Sequence, residues 1–248
     1  MMNEDYMNLY NCGNIVVNNF VYKIKDGCVM IDTGYENYLC SVLTKLKKHN
    51  IEPEEIRYIF LTHAHDDHAG FLNEFLNKYP DVKVICSDKS LETLRKGQNS
   101  FEGGCSTELA LIFCNIMKLF GKGKHLFPKL ESHNENKIIQ VSDQNRGDLQ
   151  EILNGKIIET PGHTKDSISL LHESGNLFCG DAAMNGFPSS HRITIWVENK
   201  EDFIESWKKI IELKPVAIYP AHGKKFDYHD LEKNMKNLEK IKLRRLKY

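Results

Sequence analysis

The chain has 248 residues, a formal net charge of −1 and a hydrophobic fraction of 41 %. That length can bury a sizeable core. The balanced charge argues against the basic field of a nucleic-acid binder and against a polybasic membrane patch, and no apolar run approaches the roughly 20 residues that span a bilayer. Seven cysteines (12, 28, 40, 86, 105, 114 and 179) are scattered without a C-x-x-C pair, and Cys28, Cys86 and Cys179 lie in apolar, strand-like runs. They read as reduced thiols, several of them buried, rather than a disulfide framework. The start Met1-Met2-Asn3-Glu4-Asp5 is acidic and lacks the apolar run of a secretory signal, so the expected location is the cytoplasm.

In chain order, residues 14–25 read as a β-branched and aromatic strand. Asp26-Gly27 turns it into a second strand, Cys28 to Ile31, that stops at Asp32-Thr33-Gly34. A helix is expected over 36–49, a strand over 56–62, a helix over 69–79, a strand from Val82 to Cys86 and a helix over 88–96. This alternation predicts a layered α/β fold. From 97 to 137 the character changes. Glycine-rich stretches bracket a helix with Leu109, Ile112, Phe113, Ile116 and Phe120 on one face, which reads as an insertion. Its apolar stripe packs on the core, lines a substrate lid or makes a dimer contact. Strands follow at 138–142, 156–160, 167–171 and 177–180, then a helix at 201–213, the strand Val216 to Tyr219, and a basic amphipathic helix over 229–246 that packs on the body. No short-period repeat or low-complexity linker interrupts them.

The most informative stretch is Thr62-His63-Ala64-His65-Asp66-Asp67-His68-Ala69-Gly70, directly after the apolar segment Tyr58 to Leu61. In an extended segment side chains alternate faces, so His63 and His65 share a side and can chelate one ion. Asp67 and His68 fall at the turn into the next helix, where the N-terminal dipole favours a carboxylate. Three further residues recur in one context, just beyond a short apolar strand and beside Gly or Pro: His163 in Thr-Pro-Gly-His-Thr, Asp181 in Cys-Gly-Asp and His222 in Pro-Ala-His-Gly. In layered α/β sheets sites form outside the strand ends, so strand-end loops can gather these residues onto the 63–68 cluster.

The ordered set of Asp32 in Ile-Asp-Thr-Gly, His63-x-His65-x-Asp67-His68, His163, Asp181 and His222 closely resembles the metallo-β-lactamase-fold superfamily of hydrolases, from about residue 14 to 225. The resemblance implies an α/β fold, a four-layer αβ/βα sandwich with a helical insertion, forming a single metallo-hydrolase domain over 1–248. Carried over residue by residue, it implies that His63, His65 and His163 hold one metal, that Asp67, His68 and His222 hold a second, and that Asp181 bridges them. Asp32 matches a position that is structural or lies behind the ligands: a turn residue, or a hydrogen-bond partner of a site histidine.

Imidazole and carboxylate donors without thiolate suit zinc, two ions per chain, and also admit iron, manganese or cobalt. Two ions about 3.5–4 Å apart can share a hydroxide, with the pKa of the bound water brought to about 7. No serine or cysteine nucleophile is then needed, and Ser167, Ser189 and Ser190 show no triad pattern. Asp67 and Asp181 would act with the metal-bound hydroxide. In the loop 184–192, His191 is a candidate proton donor and Arg192 a candidate holder of an anionic group, unless both are simply exposed. Tyr219 faces either the site or the core. His49, His125, His133, His172 and His229 have no such context and read as surface residues. The expected activity is hydrolysis of a small ester, thioester or lactone. Alternatives are a β-lactamase or phosphodiesterase of the same fold, or a mononuclear non-haem iron oxidoreductase of the persulfide-dioxygenase kind. The expected partner is a small-molecule substrate, with no nucleic acid and no membrane. A homo-oligomer is possible.

Overall fold

The structure, a computed structural model, describes residues 8–246; the acidic start, Met1 to Asp5, lies outside them. In chain order the strands are β1 (Leu9–Asn11), β2 (Phe20–Ile24), β3 (Gly27–Ile31), β4 (Ile56–Phe60), β5 (Lys83–Ser87), β6 (Gly104–Cys105), β7 (Ile138–Val141), β8 (Gly155–Glu159), β9 (Ile168–His172), β10 (Asn176–Gly180), β11 (Trp196–Val197) and β12 (Ala217–Pro220). The helices are α1 (Leu39–Lys48), α2 (Leu72–Lys78), α3 (Ser90–Lys96), α4 (Glu108–Leu119), α5 (Arg146–Ile152), α6 (Lys200–Leu213) and α7 (His229–Lys240).

One sheet has the order β1-β2-β3-β4-β5-β7, a second β12-β10-β9-β8, and a ribbon pairs β11 with β6. β3, β4, β5 and β7 run parallel. In the second sheet β9 is antiparallel to both β8 and β10, while β12 is parallel to β10. Strands β8, β10 and β12 therefore end at one edge.

Strand alternation sorts the core into three interfaces. Along β3, Cys28 and Met30 pack with Leu39, Leu46, Phe75 and Leu94 of the outer helices. Val29 and Ile31 turn the other way, towards Leu170, Phe178 and Tyr219 of the second sheet. The far face of that sheet, with Leu177, Cys179 and Ile218, packs under Phe203, Trp207 and Leu231 of α6 and α7. Helix, sheet, sheet and helix make the four layers that the resemblance implies. Cys28, Cys86 and Cys179 are buried in them, and the cysteines are unpaired by disulfides.

Several expectations are corrected. Residues 14–17 are not part of a strand. Asn14 N donates to Val17 O at 2.7 Å, and the Asn14 Oδ1 accepts from the Val16 and Val17 amides at 2.7 and 3.0 Å, so a side-chain-closed turn wins over the ladder. The tail is helical only to Lys240: Ile241 is extended, and Arg244 exchanges two backbone hydrogen bonds of 2.9 Å with Cys105. The open edge of β6 satisfies its groups on the tail. β1, α5 and the β6–β11 ribbon were not foreseen, being short and without strong periodicity. His172 is buried and meets the Tyr22 ring edge-on at 5.1 Å, not on the surface. The α4 stripe does not pack on the core, since Leu109, Ile112, Ile116 and Phe120 are exposed.

Trp207 is fully buried and its Nε1–H donates to Ala182 O at 2.7 Å, immediately after Asp181. Trp207→Ala is expected to cost about 3–5 kcal/mol of stability, measured by urea unfolding, with Trp207→Phe costing less.

Candidate metal centre

Each candidate residue leaves the end of a strand. Asp32 follows β3, the His63–Gly70 run follows β4, and His163, Asp181 and His222 follow β8, β10 and β12. The run turns at once after His65, whose carbonyl accepts from the His68 and Ala69 amides at 3.0 and 2.8 Å. The approach of the layers is close: Gly180, at φ +52°, sits where a Cβ would lie 2.4 Å from Thr62 Oγ1, so a side chain there would collide with the site wall.

The structure brings seven of the predicted residues together. Three overlapping groups, His63–His65–His163, His63–His68–Asp181 and Asp67–His68–His222, each present donor atoms within 4.8 Å of one another. His163 Nε2 lies 3.1 Å from both His63 Nε2 and His65 Nδ1. Asp67 Oδ2 and Asp181 Oδ1 lie 3.1 and 3.5 Å from His222 Nε2. Asp181 also reaches His68 Nε2 at 3.9 Å and His163 Nε2 at 3.7 Å, so it stands between the two clusters.

The outer nitrogens are held from behind. His163 Nδ1 donates to Trp196 O at 2.8 Å and His222 Nδ1 to Val16 O at 2.7 Å, which leaves each Nε2 as the inward atom. His68 Nδ1 donates to Asp32 Oδ2 at 2.8 Å, and Asp32 also accepts from Thr62 N at 2.7 Å and Thr62 Oγ1 at 2.8 Å. Asp32 is thus the partner of a site histidine. Its left-handed backbone, φ 57°, is one an aspartate tolerates better than most residues.

Burial, reinforced by the neighbouring imidazoles, pushes His63 and His65 well below the usual histidine range. His68 and His222 are equally buried, but carboxylates outweigh the burial. Asp32 and Asp67 push His68 up to about 10, and Asp181 and Asp67 push His222 up to about 9. Burial opposes the ionisation of Asp67, yet His68 and His222 hold its carboxyl well below the ordinary range. The field at this half of the site favours positive charge at the inward nitrogens, whether proton or metal.

Other candidates lie elsewhere. Tyr219 points into the inter-sheet core, its ring 5.4 Å from Phe20 and 5.5 Å from Phe178. Arg192 is engaged by Asp230 Oδ2 at 2.8 Å, by Asn185 Oδ1 and by the Phe226 ring, so it clamps the 184–192 loop to α7. His191 is exposed, with Nδ1 3.1 Å from Asn234 Oδ1.

Three contributors escaped the sequence reading. Buried Asp166 accepts from Ala64 N at 3.0 Å and Ser90 Oγ at 2.7 Å, fixing the peptide between His63 and His65. Its signal was a carboxylate three residues after His163. Tyr35 lies close enough to Asp67 that this charge, with burial second, raises its phenol above the usual range. His125 lies beside Asp66, 3.4 Å from its Oδ2; nothing near it in sequence marked it.

The profile of the Metallo-beta-lactamase superfamily matches residues 12–222, and the chain belongs to that superfamily, whose members are mainly metal-dependent hydrolases. It is 30 % identical over 218 residues to the metallo-beta-lactamase fold-containing protein ST1585 of Sulfurisphaera tokodaii, covering 85 % of this chain and 74 % of that one. The crystal structure of ST1585 superposes with a TM-score of 0.57 over 90 % of this chain and 80 % of the other. The hydroxyacylglutathione hydrolase of Buchnera aphidicola subsp. Baizongia pistaciae is 30 % identical over 161 residues, 64 % of this chain and 44 % of that enzyme. TTHA1623, solved in a di-iron-bound form, shares the fold at a TM-score of 0.63 and 18 % identity, with 91 % and 97 % of the two chains covered. The chain spans 53–66 % of the length of further curated relatives. No described helix is long and apolar enough to cross a membrane.

Asp166→Ala would strand the buried Ala64 amide and the Ser90 hydroxyl. A loss of about 1–3 kcal/mol is expected, measured by denaturant titration against wild type.

Proposed function

We propose that the chain is one hydrolase domain with two metal ions, zinc by donor chemistry, acting on a small ester, thioester or lactone in a reducing compartment such as the cytoplasm. The observation that carries this reading is the pair of donor trios, His63–His65–His163 and Asp67–His68–His222, with Asp181 in reach of both.

The residues fit a divalent cation in each trio. His163 Nε2 is a lone pair while Nδ1 donates to Trp196 O, and it faces two further imidazole nitrogens at 3.1 Å. His163 Nε2 can accept from only one of these rings at a time, whereas a cation among the three nitrogens would be met by all of them, and the depressed basicity of His63 and His65 disfavours an added proton there. In the second trio, His68 Nε2 is buried without a hydrogen-bond partner, as is Asp181 Oδ1 beside it. Nitrogen and carboxylate oxygen without thiolate favour zinc and admit iron or manganese. Two complete trios favour two ions over a mononuclear iron site.

When bound, such ions would supply Lewis acidity and an activated water at neutral pH. The protein's own part is arrangement. Asp32, Trp196 O and Val16 O set the rings of His68, His163 and His222, and Asp166 sets the His63–His65 peptide. Asp67 and Asp181 supply negative charge that keeps cations in a buried site. The hydroxyacylglutathione hydrolase relatives support a thioester or ester as substrate. The near-neutral charge gives no support to a nucleic-acid phosphodiester.

Metal analysis of the purified protein is expected to give two ions per chain, with turnover on a panel of thioesters, esters and lactones that is abolished by chelation and by His68→Ala. Asp32→Asn is expected to lower metal affinity or activity about 10–100-fold. A metal-replete protein inert across the panel would sink the reading, and one iron per chain would redirect it to oxidation.

A further inference from the structure

Asp66 lies inside the histidine run yet belongs to neither donor trio. Its amide donates to Asn99 Oδ1 at 2.8 Å, and its Oδ1 accepts from Asn99 Nδ2 at 2.8 Å. Asn99 is itself buried, so the Asp66 carboxylate is fixed on one side. Its other oxygen, Oδ2, faces His125 Nδ1 at 3.4 Å. His125 belongs to the 97–137 insertion and is held there by two further features. Its carbonyl accepts from the Asn99 amide at 3.1 Å, and its backbone is left-handed at φ 45°. Asn99 therefore anchors both members of the pair.

The imidazole is about one-third exposed, at 36 %, unlike the closed rings of the donor trios. Nδ1 faces the carboxylate, which puts Nε2 on the other edge of the ring. Phe101 meets the ring edge-on at 6.3 Å. The charged and titratable groups that act on His125 are Asp66, Asp67 and Cys114, and His125 acts in turn on His65. Asp66, which the ring faces at 3.4 Å, stands in the chain between His65 and Asp67, so His125 is seated beside the donor run.

We propose that His125, oriented by Asp66, is the general acid that protonates the leaving oxygen of alkyl esters and lactones. This rests on the hydrolase reading above and narrows its substrate class. Thiolates and phenolates, with conjugate acids near about 8.5 and 10, leave without help, whereas an alkoxide is far more basic and needs a proton as it departs. As the oxygen of water bonds to the carbonyl carbon, the bond from that carbon to the alkoxy oxygen breaks. The bonding pair stays on the departing oxygen, and the Nε2 proton of His125 moves to it, giving the alcohol. The protons of the attacking water pass to solvent as the product carboxylate forms, and solvent returns one to His125. Asp66 favours the doubly protonated ring this requires, with burial opposing it.

The test compares metal-replete wild type, His125→Gln and Asp66→Asn on an alkyl ester, a p-nitrophenyl ester and a thioester of one acyl group. In His125→Gln the alkyl ester is expected to lose about 10²–10⁴-fold in kcat, while the other two lose less than about tenfold. Asp66→Asn should follow the same pattern, because Asn99 Nδ2 claims the new amide oxygen and leaves an amide N–H facing Nδ1. Added imidazole should restore alkyl-ester turnover in His125→Ala. Histidine ¹⁵N NMR should show Nδ1–H of His125 hydrogen-bonded in wild type and not in Asp66→Asn, and metal content should be equal in all variants. Equal losses on all three substrates, lost metal, or no loss on the alkyl ester would each overturn the assignment. Wild type that turns over none of the three substrates fails the hydrolase reading itself, whereas active wild type with unaffected variants fails only His125.

Discussion

A carboxylate as deeply buried as Asp32 must be met by donors or it destabilises the fold that holds it. Asp32 meets three: the Thr62 amide, the Thr62 hydroxyl and His68 Nδ1. Neighbouring bonds extend the same knot. Thr33 donates twice to His68 O, and Thr62 O accepts from Ile168 N at 2.9 Å. One side chain therefore ties the end of β3 to the end of β4, and through Thr62 to the second sheet. The trios can close only because these strand ends are held in register, so the rest of the site depends on this contact.

The two halves of the site differ in electrostatics although both are built from imidazole. His63, His65 and His163 face one another, and the first two are driven towards the neutral form. Asp32 and Asp67 drive His68 the other way, and Asp181 and Asp67 do the same to His222. The first half offers neutral ligands to a cation, whereas the second offers charge compensation as well. Two ions in the same cleft would therefore differ in how strongly each is held and in how strongly each attracts an anionic group.

Much of the fold was legible in the sequence because alternating apolar strands and strand-end Gly and Pro residues carry their own signal. The 63–68 run and the strand-end residues His163, Asp181 and His222 were readable as candidate metal donors, since such donors must cluster and their spacing follows strand geometry. What escaped was set by tertiary contacts. Asn14 chose a side-chain-closed turn over a ladder, and Arg244 left its helix to pair with Cys105. Tyr219 turned inward because its strand alternates with Ile218 and its neighbours are Phe20 and Phe178. Arg192 had a partner, Asp230, that only folding reveals. His125 came from an insertion with no motif, and Asn99, Asp66 and Phe101 give it a place.

The path from the C-terminal tail to the site is short and made of backbone. Arg244 pairs with Cys105, Cys105 with Trp196 across the β6–β11 ribbon, and the Trp196 carbonyl holds His163. A chain that stopped just after Lys240 would leave the Cys105 amide and carbonyl without the two partners that Arg244 gives them. Residues 241–244 are thus two backbone pairings away from the carbonyl that lies 2.8 Å from His163 Nδ1.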